Sequence, residues 1–224
     1  MNSLHVDLAV PLEILVLIGG GEFSFGETRE ADEYLVAHMP EGRKSVAFLP
    51  TASGSAEYAG HFGKYLQTID AGVTTTNVPI YRGRDSRRQK NVTAIGAAGM
   101  VYLGGGVTNN LVSTLRESAS ELAIREAAAG GAVIAAIGAA ASCFGVQTRD
   151  MRGGVAALPA LGWLRDTVID TAVEGTDDQM LRRLMSLPDV RLGIGIPAGT
   201  ALAIHGDGST EVIGPGQIVT FRKG

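Results

Sequence analysis

The chain has 224 residues, of which 45% are hydrophobic and 19% are charged, a composition typical of a globular protein that argues against extensive disorder. Its formal net charge is -4. The densest basic stretch, residues 82–90, contains Asp85 and has no aromatic cluster beside it, so we expect no nucleic-acid partner. The apolar run 14–18 is too short to span a membrane. A single cysteine, Cys143, rules out an internal disulfide, and we expect a cytoplasmic protein with no membrane partner.

Short apolar runs alternate with amphipathic stretches through the first part of the chain. Thr28 is a suitable N-cap for the first helix, and Pro40 stops that helix. Apolar strands that alternate with helices are typical of a parallel sheet covered on both faces. The sequence predicts strands at 13–18, 45–49, 73–80, 100–103 and 132–137, and helices at 28–39, 56–69 and 109–129.

The pattern changes after Gly145, where strand-like segments follow one another with short turns. One helix is predicted among them, over 177–185, and Gly206-Asp207-Gly208 is a strong turn signal. We expect these strands to form a mixed or antiparallel edge of the same sheet. No linker or internal repeat is visible, so residues 1–224 are predicted to form one domain. The strands of this part are predicted at 168–170, 191–196, 201–205, 211–213 and 218–221.

Three glycine-rich loops follow predicted strands: residues 19–21, residues 104–106 and the stretch that begins at Gly138. Ligands of open parallel sheets bind at the carboxyl ends of the strands, and glycine there lets backbone N–H groups approach a ligand or a developing oxyanion. Each loop alone could equally be a tight turn. The first loop is not a dinucleotide fingerprint, because Ser24 takes the place of its third glycine. We therefore expect a ligand site but no nucleotide cofactor.

Taken together, these segments resemble the dipeptidase E and cyanophycinase family of serine peptidases, over nearly the whole chain from about residue 14 to 221. The resemblance implies an α/β fold: a flavodoxin-like three-layer sandwich, related to class I glutamine amidotransferases, with a mostly parallel sheet and antiparallel C-terminal strands. The order and spacing of the motifs carry the assignment. They lie at residues 17–22, 49–54, 101–106, 168–171, 181–184, 193–196 and 199–202.

The positions that carry catalysis in that family hold other residues here. The family places a Gly-x-Ser-Ala-Gly-Ala turn after the buried fifth strand, and an ungapped alignment puts Gly138 at the serine, with Ala136 and Ala140 at the elbow glycines. The family's histidine falls on Ala172. A glycine cannot attack a carbonyl and an alanine cannot take up its proton. The resemblance therefore predicts a scaffold without its catalytic groups.

Further family positions are also replaced. Pro197 and Ala198 stand where an acidic pair is usual, and Val107 takes a polar position of the oxyanion loop. If a ligand site remains, the resemblance places it at the residues Gly105, Gly106, Val107 and Ala139.

Ser142 and Cys143 lie just beyond the elbow and provide an alternative. The segment around Cys143 is faintly similar to the cysteine elbow of glutamine amidotransferases. The alignment places Cys143 inside the following helix, however, where a lone cysteine is usually a small buried hydrophobe, and no late His-x-Glu pair is present.

The remaining ionisable candidates do not form a recognisable site. No two of the histidines have metal-ligand spacing, so we expect no metal. The segment 182–183 coincides with substrate-side arginines of the family and could bind a carboxylate or form surface ion pairs. The histidines are His5, His38, His61 and His205.

Three hypotheses follow. The first is a non-catalytic homologue that binds a small peptide-like or acidic ligand, or a protein partner, with a homodimer expected. The second is an active hydrolase or amidotransferase that uses displaced residues such as Ser142 or Cys143. The third is a structural subunit paired with an active paralogue.

Overall fold

The computed structural model describes residues 4–175 and 178–223. The strands are β1 (Ile14–Ile18), β2 (Ser45–Leu49), β3 (Thr74–Asn77), β4 (Met100–Leu103), β5 (Val133–Ile137), β6 (Gln147–Thr148), β7 (Leu158–Pro159), β8 (Thr167–Thr171), β9 (Leu192–Ile196), β10 (Ala201–His205), β11 (Thr210–Ile213) and β12 (Val219–Arg222). The helices are α1 (Arg29–Ala37), α2 (Glu57–Ile69), α3 (Gln89–Gly96), α4 (Thr108–Leu115), α5 (Ala119–Ala129) and α6 (Gln179–Met185), with 3-10 helices at Phe23–Phe25, Asp85–Arg87 and Gly138–Phe144.

The larger sheet has seven strands in the order β11-β10-β1-β5-β4-β2-β3. Strands β1 to β5 pair in parallel, whereas β10 and β11 are antiparallel additions at one edge. Ile18 lies opposite Ile137, and Leu103 lies opposite Ala136. This register brings the carboxyl ends of β1, β5 and β4 side by side. The predicted α/β fold with a mostly parallel sheet and antiparallel C-terminal strands is confirmed.

Both faces of the large sheet are covered, as its apolar strands require. In β1, Ile14, Val16 and Ile18 pack on the side of α1 and α2. Leu15 and Leu17 face the opposite side, where α3, α4, α5 and the 3-10 helix at 138–144 pack. Because successive side chains of β1 point to opposite faces of the sheet, they pack into two separate cores. The result is three layers, with the central strands fully buried.

A second, five-stranded sheet has the order β12-β9-β8-β6-β7. The expectation of one mixed edge was therefore wrong for β8, β9 and β12, which leave the main sheet. Close packing of α6 on β9 accompanies this arrangement. A Cβ at Gly193 would lie 2.8 Å from Met185, and one at Gly195 would lie 3.3 Å from Leu181. Strand periodicity reports which face is buried but not which sheet a strand joins.

Two helix predictions also needed correction. The predicted helix at 109–129 is broken into α4 and α5, because Glu117 adopts a left-handed backbone with φ of 58°. Ser118 then caps α5 by accepting a hydrogen bond from the N–H of Glu121. Helix α3, which begins at Gln89 within the basic stretch 82–90, was not predicted at all. Within the described ranges, no helix has both the length and the apolarity to cross a bilayer.

Candidate functional site

The three glycine loops meet at the carboxyl ends of β1, β4 and β5 and line a cavity of about 360 Å³. This is the position at which parallel α/β sheets usually bind ligands. Backbone atoms and small side chains form much of its wall, so a ligand can approach main-chain groups closely. The lining residues are Gly20, Gly21, Glu22, Phe48, Ser53, Ser55, Tyr58, Gly104, Gly105, Gly106, Ile137, Gly138 and Ala139.

Gly138 occupies the sharp turn between β5 and the 3-10 helix that follows it. Its φ is +56°, in the left-handed region, and no atom lies within 4 Å of the place a Cβ would take. The flanking Ala136 and Ala140 are fully buried on the side of the core, away from solvent. The turn is therefore retained although the elbow glycines are alanines. What is missing at its apex is a reactive side chain.

Ala172, where the motif alignment puts the family's histidine, lies close to the same loops. Its N–H donates to the carbonyl of Gly19 at 2.9 Å, and its φ is 55°, which is unusual for a residue with a Cβ. The preceding Thr171 has its Oγ1 3.2 Å from Oγ of Ser142, which in turn donates to the Gly138 carbonyl at 3.5 Å. Gly138 and the segment that leads into Ala172 are thus connected through two hydroxyl groups.

The segment 197–198, where the resemblance expects an acidic pair, also packs on the first loop. The N–H of Gly199 donates to the carbonyl of Gly20 at 3.0 Å, and a Cβ at Gly20 would lie 3.9 Å from the Cβ of Ala198. The structure therefore brings together all three positions that the alignment singled out. Glycine, alanine and proline occupy them, and none of these side chains can transfer a proton or orient a base.

The displaced nucleophile candidates are buried in the core. Ser142 is 2% exposed and Cys143 is fully buried, with its Sγ donating to the carbonyl of Ala139 at 3.2 Å. Burial raises the pKa of the Cys143 thiol to about 12, so the thiol stays protonated at neutral pH. Neither residue lines the cavity. The placement of Cys143 agrees with the interpretation as a core residue.

The structure places the predicted oxyanion-loop residues in two different surroundings. Gly105, Gly106 and Ala139 line the cavity, but Val107 does not. The N–H of Val107 donates to the carbonyl of Ala52 at 3.1 Å, and Val107 itself precedes α4 as its N-cap residue. Gly106 must be glycine, because a Cβ there would overlap the backbone of Ala52.

Two amides of this loop make no hydrogen bond within the residues that the structure describes. Within the described part of the chain, the N–H groups of Gly105 and Gly106 donate no hydrogen bond. Free backbone donors beside a cavity are suited to a carbonyl or carboxylate oxygen.

Sequence reasoning missed the polar side of the cavity. Glu22 follows the first glycine loop, Ser53 and Ser55 follow β2, and Tyr58 lies in the first turn of α2. Burial, followed by the negative charge of Glu22, raises the pKa of the Tyr58 phenol, which stays neutral. The polar run after β2 was a usable signal, because it follows a parallel strand at the same sheet edge as the glycine loops.

The other candidate side chains lie elsewhere. The guanidinium of Arg182 stacks over the ring of Phe221 at 4.4 Å, and both Arg182 and Arg183 are exposed on α6 rather than lining the cavity. Asp178 caps α6 by accepting from the N–H of Leu181 at 2.7 Å, whereas Asp177 lies outside the described residues. His38 ends α1, with Nδ1 2.8 Å from the carbonyl of Tyr34.

A mostly parallel α/β sheet, a sharp turn after its central strand and free backbone amides beside that turn define a protein built on a serine-peptidase scaffold of the peptidase E type. The chain belongs to peptidase family S51, whose family model matches residues 15–212. The resemblance inferred from the motifs is thereby confirmed.

Relatives agree with this assignment. An uncharacterized peptidase of Bacillus subtilis (strain 168), YgaJ, is 30% identical over 154 residues, which is 67% of this chain and 65% of that protein. The match thus spans just under two thirds of the length of that curated relative.

Two solved structures share the fold. A peptidase from an acI-B1 actinobacterium superposes with a TM-score of 0.77 at 20% identity, covering 94% of this chain and 91% of that one. A putative peptidase E protein from Listeria monocytogenes EGD-e superposes with a TM-score of 0.64 at 17% identity, covering 95% of this chain and 100% of that one. At these identities the likeness concerns the fold alone.

Proposed function

We propose that this chain is a non-catalytic member of peptidase family S51 that binds a short peptide-like ligand in the glycine-lined cavity. The observation that carries the proposal is Gly138, which places an open, side-chain-free turn where the family's nucleophile would be.

Chemistry supports the absence of turnover. Serine peptidases need a nucleophile, a base that takes its proton and a group that orients the base. Gly138, Ala172 and the 197–198 segment converge on the first glycine loop without supplying any of these groups. No histidine is among the residues that line the cavity.

Geometry supports retained binding. The cavity falls in the size range of small-molecule pockets, and its loops are held by backbone hydrogen bonds rather than collapsed onto one another. The amides of Gly105 and Gly106 suit the carbonyl groups of a peptide. The competing hypothesis, an enzyme that uses Ser142 or Cys143, is disfavoured by the burial of both side chains. The homodimer and the cytoplasmic location stay predictions.

The test is a hydrolysis assay of the purified protein with aspartyl dipeptides and with cyanophycin. We expect no turnover, and we expect the double variant Ser142→Ala/Cys143→Ala to behave like the wild type. Turnover that a serine-hydrolase inhibitor abolishes would overturn the non-catalytic assignment. Loss of such turnover in the double variant would establish the displaced-residue alternative instead.

A further inference from the structure

A hollow of about 430 Å³ opens beside the chain segment that follows β3. We call it the arginine hollow, after Arg82, Arg84 and Arg88 in its lining. It adjoins the glycine-lined cavity, because the loop after β2 contributes to both linings. Among the described residues, none lines both, so the arginine hollow is a separate place at which a ligand can bind.

The charge of the arginine hollow is opposite to that of the whole chain. Three arginines and one carboxylate, Asp85, belong to its lining, which leaves an excess of two positive charges. The chain as a whole has a formal net charge of -4. A concave surface lined mainly by one sign of charge concentrates ions of the opposite sign. The arginine hollow is therefore suited to a small anion.

Asp85 fixes the positions of the groups around it. Its buried carboxylate accepts hydrogen bonds at Oδ2 from the N–H of Tyr81 at 3.3 Å and from the N–H of Arg82 at 3.2 Å. Its Oδ1 lies 3.1 Å from Nη2 of Arg88 and 3.9 Å from Nε of Arg84. Because the loop and two of its guanidinium groups are already placed, an anion that binds there has less conformational entropy to remove.

Buried polar side chains attach the same loop to the core. The side-chain amide of Asn91 donates to the carbonyl of Asp85 at 2.9 Å, and the hydroxyl of Ser120 in α5 donates to the carbonyl of Ser86 at 2.7 Å. Asn91, Ser86 and Ser120 are all buried. Buried hydrogen bonds of this kind rigidify a segment, so the arginine hollow is a constructed feature of the fold rather than a loose surface loop.

Donors remain for a ligand. Within the described residues, the side chains of Arg82 and Tyr81 make no hydrogen bond or ion pair, and both line the arginine hollow. Each guanidinium has five N–H groups in a planar fork, so Arg84 and Arg88 keep donors beyond those that face Asp85. Guanidinium forks match the oxygens of a phosphoryl group, and bidentate pairs of this kind are strong.

We propose that the arginine hollow binds a phosphoryl group, as inorganic phosphate or as the phosphoester of a small molecule. The phosphoryl oxygens accept from Arg82, Arg84 and Arg88, and the phenol of Tyr81 is a further donor. An excess of two charges is too small for the run of phosphates of a nucleic acid. The proposal is independent of the proposed function, because it requires neither the glycine-lined cavity nor a peptide.

Calorimetric titration at low salt tests the proposal with inorganic phosphate, pyrophosphate and phenyl phosphate. We expect saturable binding of one anion per chain, tighter for pyrophosphate than for phosphate because of its higher charge, and weaker when salt is added. Tighter binding of phenyl phosphate than of inorganic phosphate would support the site and identify a phosphoester as its ligand. No saturable binding of any of the three anions would overturn the proposal. Binding of a duplex oligonucleotide alone would overturn it as well.

Variants that remove the same charge locate the site. Arg82→Gln should weaken the binding of phosphate about tenfold, as for the loss of one charge-assisted contact. Arg87→Gln is the matched control, because Arg87 is exposed in the same basic stretch and does not line the arginine hollow, and it should bind phosphate like the wild type. Equal weakening by the two variants would show a diffuse surface field instead of a site and would overturn the proposal.

Discussion

Replacing Gly138 by alanine adds a Cβ at the turn above the cavity, and the structure sets the cost of that change. No atom lies within 4 Å of the new Cβ, so the cost is that of a left-handed backbone alone. This conformation costs an L-residue roughly 1–2 kcal/mol, and the reduced freedom of the unfolded chain returns about 0.4–1 kcal/mol. We therefore expect Gly138→Ala to lower the free energy of unfolding by about 1 kcal/mol.

Gly→Ala variants at two other positions provide losses of unfolding free energy with which that of Gly138→Ala can be compared. Gly26→Ala is the matched control, because Gly26 also has a left-handed φ, of 76°, with no neighbour within 4 Å. Gly106→Ala should cost far more, on the order of 3 kcal/mol or above, because its Cβ would overlap the backbone of Ala52. Urea unfolding followed by circular dichroism measures all three. A loss for Gly138→Ala that equals the loss for Gly106→Ala would refute an open, left-handed turn.

Three further variants or reagents test the chemistry of single groups. Burial raises the pKa of Asp32 to about 6, although Thr28 Oγ1 donates a hydrogen bond to its carboxylate at 2.7 Å. The pKa in the folded protein therefore lies above the unfolded value. The contribution of Asp32 to the stability of the fold is present below about pH 4 and is lost as the pH rises through 6. Asp32→Asn should therefore raise the free energy of unfolding at pH 7 by about 1–3 kcal/mol and have little effect at pH 4, as measured by urea unfolding at both values. The pKa of Asp150 is lowered to about 2, first by the side-chain amide of Asn109, which donates at 2.6 Å, and then by backbone N–H groups of its own loop. The contribution of Asp150 to the stability of the fold is therefore present above about pH 4 and is lost as the pH falls through 2. Asn109→Ala should move the midpoint of the Asp150 carboxyl titration upward in NMR spectra, and an unchanged midpoint would contradict the assigned cause. Cys143 should resist Ellman's reagent in the folded protein at pH 8 and react once urea unfolds the chain, whereas immediate labelling of the native protein would contradict its burial.

The sheet and its site were predictable where local pattern determines structure. The apolar runs that became β1, β2, β4 and β5 are continuous because both of their faces are buried, and glycines after them mark the sheet edge at which ligands bind. The family motifs singled out Gly138 and Ala172, and the roles assigned to these positions stay predictions. These features depend on residues close in sequence.

The features that the sequence did not predict depend on contacts between residues far apart in the chain. Nothing local in β9 indicates that it pairs with β8 and β12 rather than with the main sheet, or that α6 packs on it. Tyr58 reaches the cavity only because the first turn of α2 lies over the ends of the strands. Val107 does not line the cavity, and its N–H donates to the carbonyl of Ala52, a bond between segments far apart in sequence.

The central claim is that no group in the cavity can form an acyl-enzyme. Intact-mass spectrometry after incubation with a fluorophosphonate, which labels activated serines, tests it most directly. We expect no adduct on the folded protein, including at Ser53 and Ser55, which line the cavity without a histidine beside them in its lining. A stoichiometric adduct on a cavity serine, lost when that serine is replaced by alanine, would contradict the claim.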